Sequence, residues 1–193
     1  MGLAKISYEN LRILDADIEN RPISYLGNDF TTADITAICA GWADKKYNVV
    51  WALGEYTTEE MLKGFVEMYN QADIVTGHWL RQHDLPHING ALIEFGLDPL
   101  SEKLTSCTKE DLVSRKGISA SQENLSEMLG LAEQKVQMNQ IKWRHANRLT
   151  KNGIKLTKER VSGDVTQHKQ LRAKLIERGL LGPPKLWDPR KGK

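Results

Sequence analysis

Apolar and polar positions alternate along residues 11–18, Leu-Arg-Ile-Leu-Asp-Ala-Asp-Ile, which predicts a first strand with one face turned to a core. Residues 34–42 and 47–53 are rich in Ile, Ala, Val and Trp and are broken at Asp44-Lys45-Lys46, so they predict two strands joined by a hairpin. At Thr57-Thr58-Glu59-Glu60 the period changes. A hydroxyl followed by acids is a helix start, and Met61, Leu62, Phe65, Val66 and Tyr69 then recur at helical spacing. Residues 72–76 predict a short buried strand, 77–84 a loop, 85–95 a helix ended by Gly96, and 104–108 a last strand. Helices follow at about 109–115, 121–130, 139–149 and 155–179. Residues 181–193 form an extended tail able to dock through Leu186 and Trp187. Strands alternating with helices, then a helical C-terminal half, describe an α/β layered architecture, and 193 residues without internal repeats fit a single domain.

The alternation also sorts the acids. On a strand Asp15, Asp17 and Glu19 share one face, while Leu14, Ala16 and Ile18 share the other. Three carboxylates on one face repel each other unless a cation or solvent lies between them. Two readings stay open: a hard divalent cation held by one or two of these acids together with phosphate oxygens, or an exposed edge strand blunted by charge. A second group, Gly77-His78-Trp79-Leu80-Arg81-Gln82-His83-Asp84-Leu85-Pro86, sets an Asp where a turn meets a helix; Asp84 is either a site acid or a simple cap. A third, Gly163-Asp164-Val165-Thr166-Gln167-His168, carries an Asp in mid-helix with His168 one turn later on the same side.

Charge sharpens this picture. Residues 1–100 hold 7 Lys+Arg against 15 Asp+Glu, a net −8, whereas residues 101–193 hold 20 against 10, a net +10. An acidic half beside a basic half suits an enzyme that meets phosphates, and equally suits solvated basic helices. Lys142, Trp143, Arg144, His145, Arg148, Lys151, Lys155 and Lys158 form a basic stretch with an aromatic inside it, able to track a phosphate backbone. Hydrophobic residues make up 40% and charged residues 27% of the chain, a globular balance. No apolar run is long enough to span a membrane, and Met1 to Asn10 lacks a signal-peptide layout, so a soluble cytoplasmic protein is expected. Cys39 and Cys107 stand apart, which supports neither a zinc site nor a disulfide framework.

Taken in order, Asp-x-Glu at 17–19, Gly-His-x-x-x-x-x-Asp-Leu-Pro at 77–86 and Asp-Val-x-x-His-x-x-Leu at 164–171 resemble the DEDD superfamily of 3′–5′ exonucleases. The pattern is most similar to stand-alone relatives of the proofreading domain of family B DNA polymerases, of a kind found in bacteriophages. The resemblance runs from about residue 11 to 187 and includes Ser119 to Leu131 and the Pro-Pro-Lys-Leu-Trp tail. It implies a ribonuclease H-like fold, a mixed five-stranded sheet flanked by helices. It implies catalytic and metal-binding roles for Asp17, Glu19, Asp84 and Asp164, with two Mg²⁺ or Mn²⁺ ions about 4 Å apart. The implied partner is nucleic acid, DNA before RNA, and a phage protein of this kind would work in the host cytoplasm.

The sequence departs from that pattern in three places. Trp79 stands where the family carries Asn, His83 where it carries Phe, and Arg160 and Glu159 where it carries the Tyr or His that orients the attacking water. His168 is the first substitute for that residue, followed by His83 and His78. Trp79 is a candidate to stack on a base, and His78, Arg81, Arg144 and Arg160 are candidates to meet nucleic acid. The departures keep two other functions open: a junction-resolving endonuclease of the same fold, and a nucleic-acid-binding module without activity.

Overall fold

The computed structural model describes residues 10–22, 33–113, 117–132 and 136–191. The first strand, β1 (Ile13–Pro22), is central. It pairs antiparallel with β2 (Ala33–Trp42) and parallel with β4 (Ile74–Gly77), Ile13 facing Ile74 and Asp15 facing Thr76. The expected hairpin is present: β2 turns into β3 (Val49–Ala52), which pairs antiparallel with it. On the other side β5 (Lys103–Cys107) runs parallel to β4.

The sheet has six strands, in the order β3-β2-β1-β4-β5-β6, and not five. The extra strand is the tail. Without it β5 would expose a row of unpaired backbone groups. Pro183 and Pro184 have no N–H to give, and beyond them β6 (Lys185–Trp187) pairs antiparallel with β5. Thr105 Oγ1 donates to the Lys185 carbonyl at 2.9 Å, and Trp187 packs against the main core. A second expectation also fails. Residues 109–113 form no helix, because the Asp111 carboxylate turns back to accept from the Cys107 N–H at 2.8 Å and Leu112 bridges to Leu181; residues 114–116 lie outside the described residues.

Helices cover both faces. α1 (Thr58–Gln71) opens on a reciprocal cap: Thr57 Oγ1 accepts from the Glu60 N–H at 3.2 Å, and Glu60 Oε2 accepts from the Thr57 N–H at 2.7 Å. Its Met61, Leu62, Phe65 and Tyr69 pack with Leu85, Ile88 and Leu92 of α2 (Asp84–Glu94) against Leu14, Ala16 and Ile18 of β1. The opposite face meets α5 (Lys151–Glu177), whose Val161 and Val165 press on Ala37, Cys39 and Ala52. Those small sheet residues let the helix lie close to the strands. Two short helices, α3 (Gln122–Met128) and α4 (Gln140–Asn147), lead into α5.

Candidate metal centre

One geometric match builds the site. Along a helix, four residues advance about 6 Å. Along a strand, two residues advance about 6.6 Å. Helix α5 runs against β1 so that Arg160, Asp164, His168 and Arg172, each four residues apart, face Glu19, Asp17 and Asp15, each two apart. The result is a ladder of charged groups between strand and helix, with an outer end at Glu19 and an inner end at Asp15.

At the outer end Asp17, Glu19 and Asp164 each place one ligand oxygen within 4.8 Å of the others. Asp17 and Glu19 are half-buried and Asp164 is buried. Three carboxylate oxygens at this spacing are hard donors and fit a hard divalent cation such as Mg²⁺ or Mn²⁺. A bulge lies beside them: Glu19 faces Ala37 and Asn20 faces Ile35, leaving Thr36 as an extra residue whose hydroxyl donates to the Glu19 carbonyl at 3.1 Å. Bulges increase local twist, and this one falls at the strand end that carries the acids. Gly77 is required on the neighbouring strand, since a Cβ there would come within 2.8 Å of the Ala16 carbonyl oxygen. Asp17 and Asp164 open on a cavity of about 270 Å³ lined also by His78, Lys109, Ser121, Gln122 and Glu123. Gln122 Nε2 donates to the Asp164 carbonyl at 2.9 Å and ties α3 to this wall.

The inner end is closed. Asp15 is fully buried, and both its oxygens accept from Arg172, through Nε and Nη2 at 3.1 Å. His168 Nδ1 donates to Asp15 Oδ1 at 2.9 Å. Burial alone would raise the Asp15 carboxyl, but Arg172 and His168 outweigh it and hold the pKa below its ordinary value. His168 is therefore neither exposed nor at the cavity wall. It is buried, with one ring nitrogen committed to Asp15.

Asp84 stands apart from the three clustered acids. Among the described residues they form a group without it. It is not a cap either: it is the first residue of α2, buried, with Oδ1 accepting from His83 Nδ1 at 2.9 Å. Burial pushes its carboxyl up, against the pull of His83. The hydrogen bond to Asp84 raises His83 in turn. The His83 ring stacks on Trp79, with centroids 5.5 Å apart and planes 9° from parallel, and tilts against His87 at 4.4 Å. Lys109 Nζ lies 4.1 Å from the Trp79 ring. Trp79 adopts φ +71°, a left-handed conformation rare for a bulky residue, and this leaves its indole exposed.

The remaining candidates separate. His78 reaches the cavity and its Nδ1 lies 3.0 Å from Thr108 Oγ1. Arg144 is exposed on α4. Arg81 does not present its fork to solvent: Nη1 and Nη2 donate to Asp111 at 2.9 and 2.7 Å, and Nε pairs with Glu110 at 3.3 Å. Within the basic stretch Lys158 pairs with Glu55 at 2.6 Å and Lys155 with Glu159 at 3.7 Å. Arg160 points into the acid cluster, Nε to Glu19 Oε1 at 2.6 Å and Nη2 to Asp164 Oδ2 at 3.8 Å. The expectations from sequence left out Arg172, Lys109 and Gln122. The four-residue spacing on α5 set against the two-residue spacing on β1 was the available signal for Arg172. Lys109 and Gln122 arrive from distant segments and carry no local signal.

No family model matches the sequence, and no curated protein matches it. Among solved structures the chain is similar to the family B DNA polymerase from the hyperthermophilic archaeon Pyrobaculum calidifontis. The TM-score is 0.64 and the identity 16%, over 86% of this chain and 24% of the polymerase chain. The chain thus spans about a quarter of that polymerase's length. At this identity the likeness is one of fold. Fold and site together define a mixed α/β protein that shares the architecture of part of a DNA polymerase and carries an acidic cluster able to hold a metal ion. No helix among the described residues is long and apolar enough to cross a membrane.

Proposed function

We propose that this chain is a metal-dependent phosphodiesterase of ribonuclease H-like fold that hydrolyses nucleic acid, with 3′–5′ removal of nucleotides from DNA as its principal activity. The convergence of Asp17, Glu19 and Asp164, with ligand oxygens within 4.8 Å of one another, carries the reading, because it joins a strand acid pair to a helix acid 145 residues away in sequence. The similarity to part of a DNA polymerase supports the nucleic-acid side of it.

Asp17, Glu19 and Asp164 would hold the metal. A Mg²⁺ or Mn²⁺ ion held there would supply Lewis acidity toward an attacking water and the scissile phosphate. Asp17 lies in the cluster and also lines the cavity, as does Asp164. Asp84 is the fourth acid of this reading, buried and hydrogen-bonded to His83. Lys109 and His78 line the cavity, where they would meet phosphate oxygens, and a base stacking on the exposed Trp79 indole would take the place of Lys109 over its ring. His168, buried and bonded to Asp15, braces helix α5 behind the acids.

The test compares a 3′-terminal ladder on labelled linear DNA with paired internal cuts on a four-way junction, in Mn²⁺. Asp17→Ala combined with Asp164→Ala should reduce cleavage by about a thousandfold or more, since a catalytic metal supplies several kcal/mol. Paired cuts at the junction would replace the exonuclease by an endonuclease. Full activity in the double variant, or DNA binding without cleavage by the unaltered chain, would remove the proposal.

A further inference from the structure

We propose that the corner between α4 and α5 is a second nucleic-acid contact, one that grips the phosphate backbone of a DNA duplex. This rests on the reading above that the substrate is nucleic acid, and adds where and in what form it is held. Residues 136–158 carry Lys142, Arg144, Arg148, Lys151, Lys155 and Lys158 and no Asp or Glu. Arg144, Arg148, Lys151 and Lys155 are exposed. Among the described ion pairs of this stretch, Lys158 meets Glu55 at 2.6 Å and Lys155 meets Glu159 at 3.7 Å. Six cations against these two acids leave a surplus of four. Exposed pairs of this kind contribute little, so they yield readily to a phosphate.

The corner is built to hold its shape. Asn139 Oδ1 accepts from the Lys142 N–H at 2.9 Å and Thr150 Oγ1 from the Gly153 N–H at 3.1 Å, capping both helices. Leu149 turns the chain with φ +51°, and a Cβ on Gly153 would run into the His145 carbonyl oxygen, so the two helices meet at close range. Neither helix has an acid in its first turn, and Lys151 opens α5, where the helix dipole disfavours a cation. The corner is also fixed to the outer end of the ladder. The Arg160 guanidinium carbon lies 5.3 Å from the centre of the Trp143 ring, and Arg21 Nη1 donates to the Asn147 carbonyl at 2.5 Å. From Arg160 back to Lys151 the helix reaches about 14 Å, the rise of roughly four base pairs. A duplex that leaves the outer end along α5 passes over these cations. A single strand is held by aromatic faces that stack on its bases, and Trp143, the one Trp, Phe or Tyr in residues 136–158, has a face taken by Arg160. A duplex turns its bases inward and presents phosphates, which exposed cations meet without reading sequence.

The salt dependence of binding tests this, read by fluorescence anisotropy on a labelled blunt DNA duplex and on a single strand of the same length, without divalent ions so that nothing is cleaved. Combining Arg144→Gln, Arg148→Gln, Lys151→Gln and Lys155→Gln should lower the slope of log K against log salt on the duplex by about 3–4, since each phosphate contact contributes about 0.9. Each half of the set, Arg144→Gln with Arg148→Gln or Lys151→Gln with Lys155→Gln, should lower it by about half as much, with Mn²⁺ binding unchanged. An unchanged slope in the combined variant, or no duplex binding by the unaltered chain, would overturn the inference. So would a slope loss confined to the single strand. The phosphodiesterase reading fails separately: an unaltered chain that binds the duplex through this corner and cleaves no DNA in Mn²⁺ removes that reading and leaves the corner standing, whereas cleavage with an unchanged slope removes only the corner.

Discussion

The two ends of the ladder between β1 and α5 are made of the same materials and do different things. Both set strand carboxylates against basic side chains of the helix: Glu19 against Arg160 at one end, Asp15 against His168 and Arg172 at the other. The inner end buries its acid completely and gives both oxygens to one guanidinium, so it is a closed structural network. The outer end leaves Asp17 and Glu19 half-buried, opens on a cavity at Asp17 and Asp164, and gathers three acids within reach of one ion. Charge composition therefore does not distinguish a site from a brace. Burial and the ratio of acids to cations do.

Substitutions should separate the two ends. Asp15→Ala leaves Arg172 and His168 buried without their anion and should cost about 3–5 kcal/mol, read from urea denaturation. Asp17→Asn should change stability by no more than about 1 kcal/mol while losing Mn²⁺ binding, because it relieves like-charge crowding in a half-solvated place. Equal destabilisation by the two would erase the distinction. Trp79→Ala tests the outer end from the substrate side. Affinity for a labelled single-stranded oligonucleotide should fall by about 1–3 kcal/mol, measured by fluorescence anisotropy, and an unchanged affinity would return Trp79 to a packing role.

Acid titration probes the inner end alone. Asp15 is held below its ordinary value of 3.8, so its pairing stabilises the fold fully above about pH 4 and is lost as pH falls through the lower folded value. Asp15→Asn should flatten that acid limb in a pH series of thermal melts; an unchanged limb would show that other carboxylates set it. Thr57→Ala is the smallest effect and the control. Losing the α1 cap should cost about 1 kcal/mol and leave Mn²⁺ binding unchanged, because the cap lies on the far face of the sheet.

Much of the fold follows from short-range pattern. The alternation of β1, the break at Asp44-Lys45-Lys46 that makes the β2–β3 hairpin and the Thr57 and Glu60 cap are local preferences realised locally. The misreadings share one cause. Lys185–Trp187 becomes a sixth strand only because β5 has an edge to complete, 80 residues away in sequence. Residues 109–113 lose a helix to a side chain that bonds backward and to a bridge with Leu181. Arg81 looked available because nothing local announces the buried Asp111 that takes its fork.

The acids show the same division. That Asp15, Asp17 and Glu19 share a face is a property of strand geometry, and that Asp164, His168 and Arg172 share a face is a property of helix geometry. Both can be read from residue spacing alone. Which acid meets which helical residue depends on where α5 lies along β1. That is decided by Val161 and Val165 seating on Ala37, Cys39 and Ala52, contacts between segments more than 100 residues apart. The sequence thus determined the two rows of charge. Only tertiary packing set them against each other, making a buried brace of Asp15 and an open cluster of Asp17, Glu19 and Asp164, with Arg160 inside it.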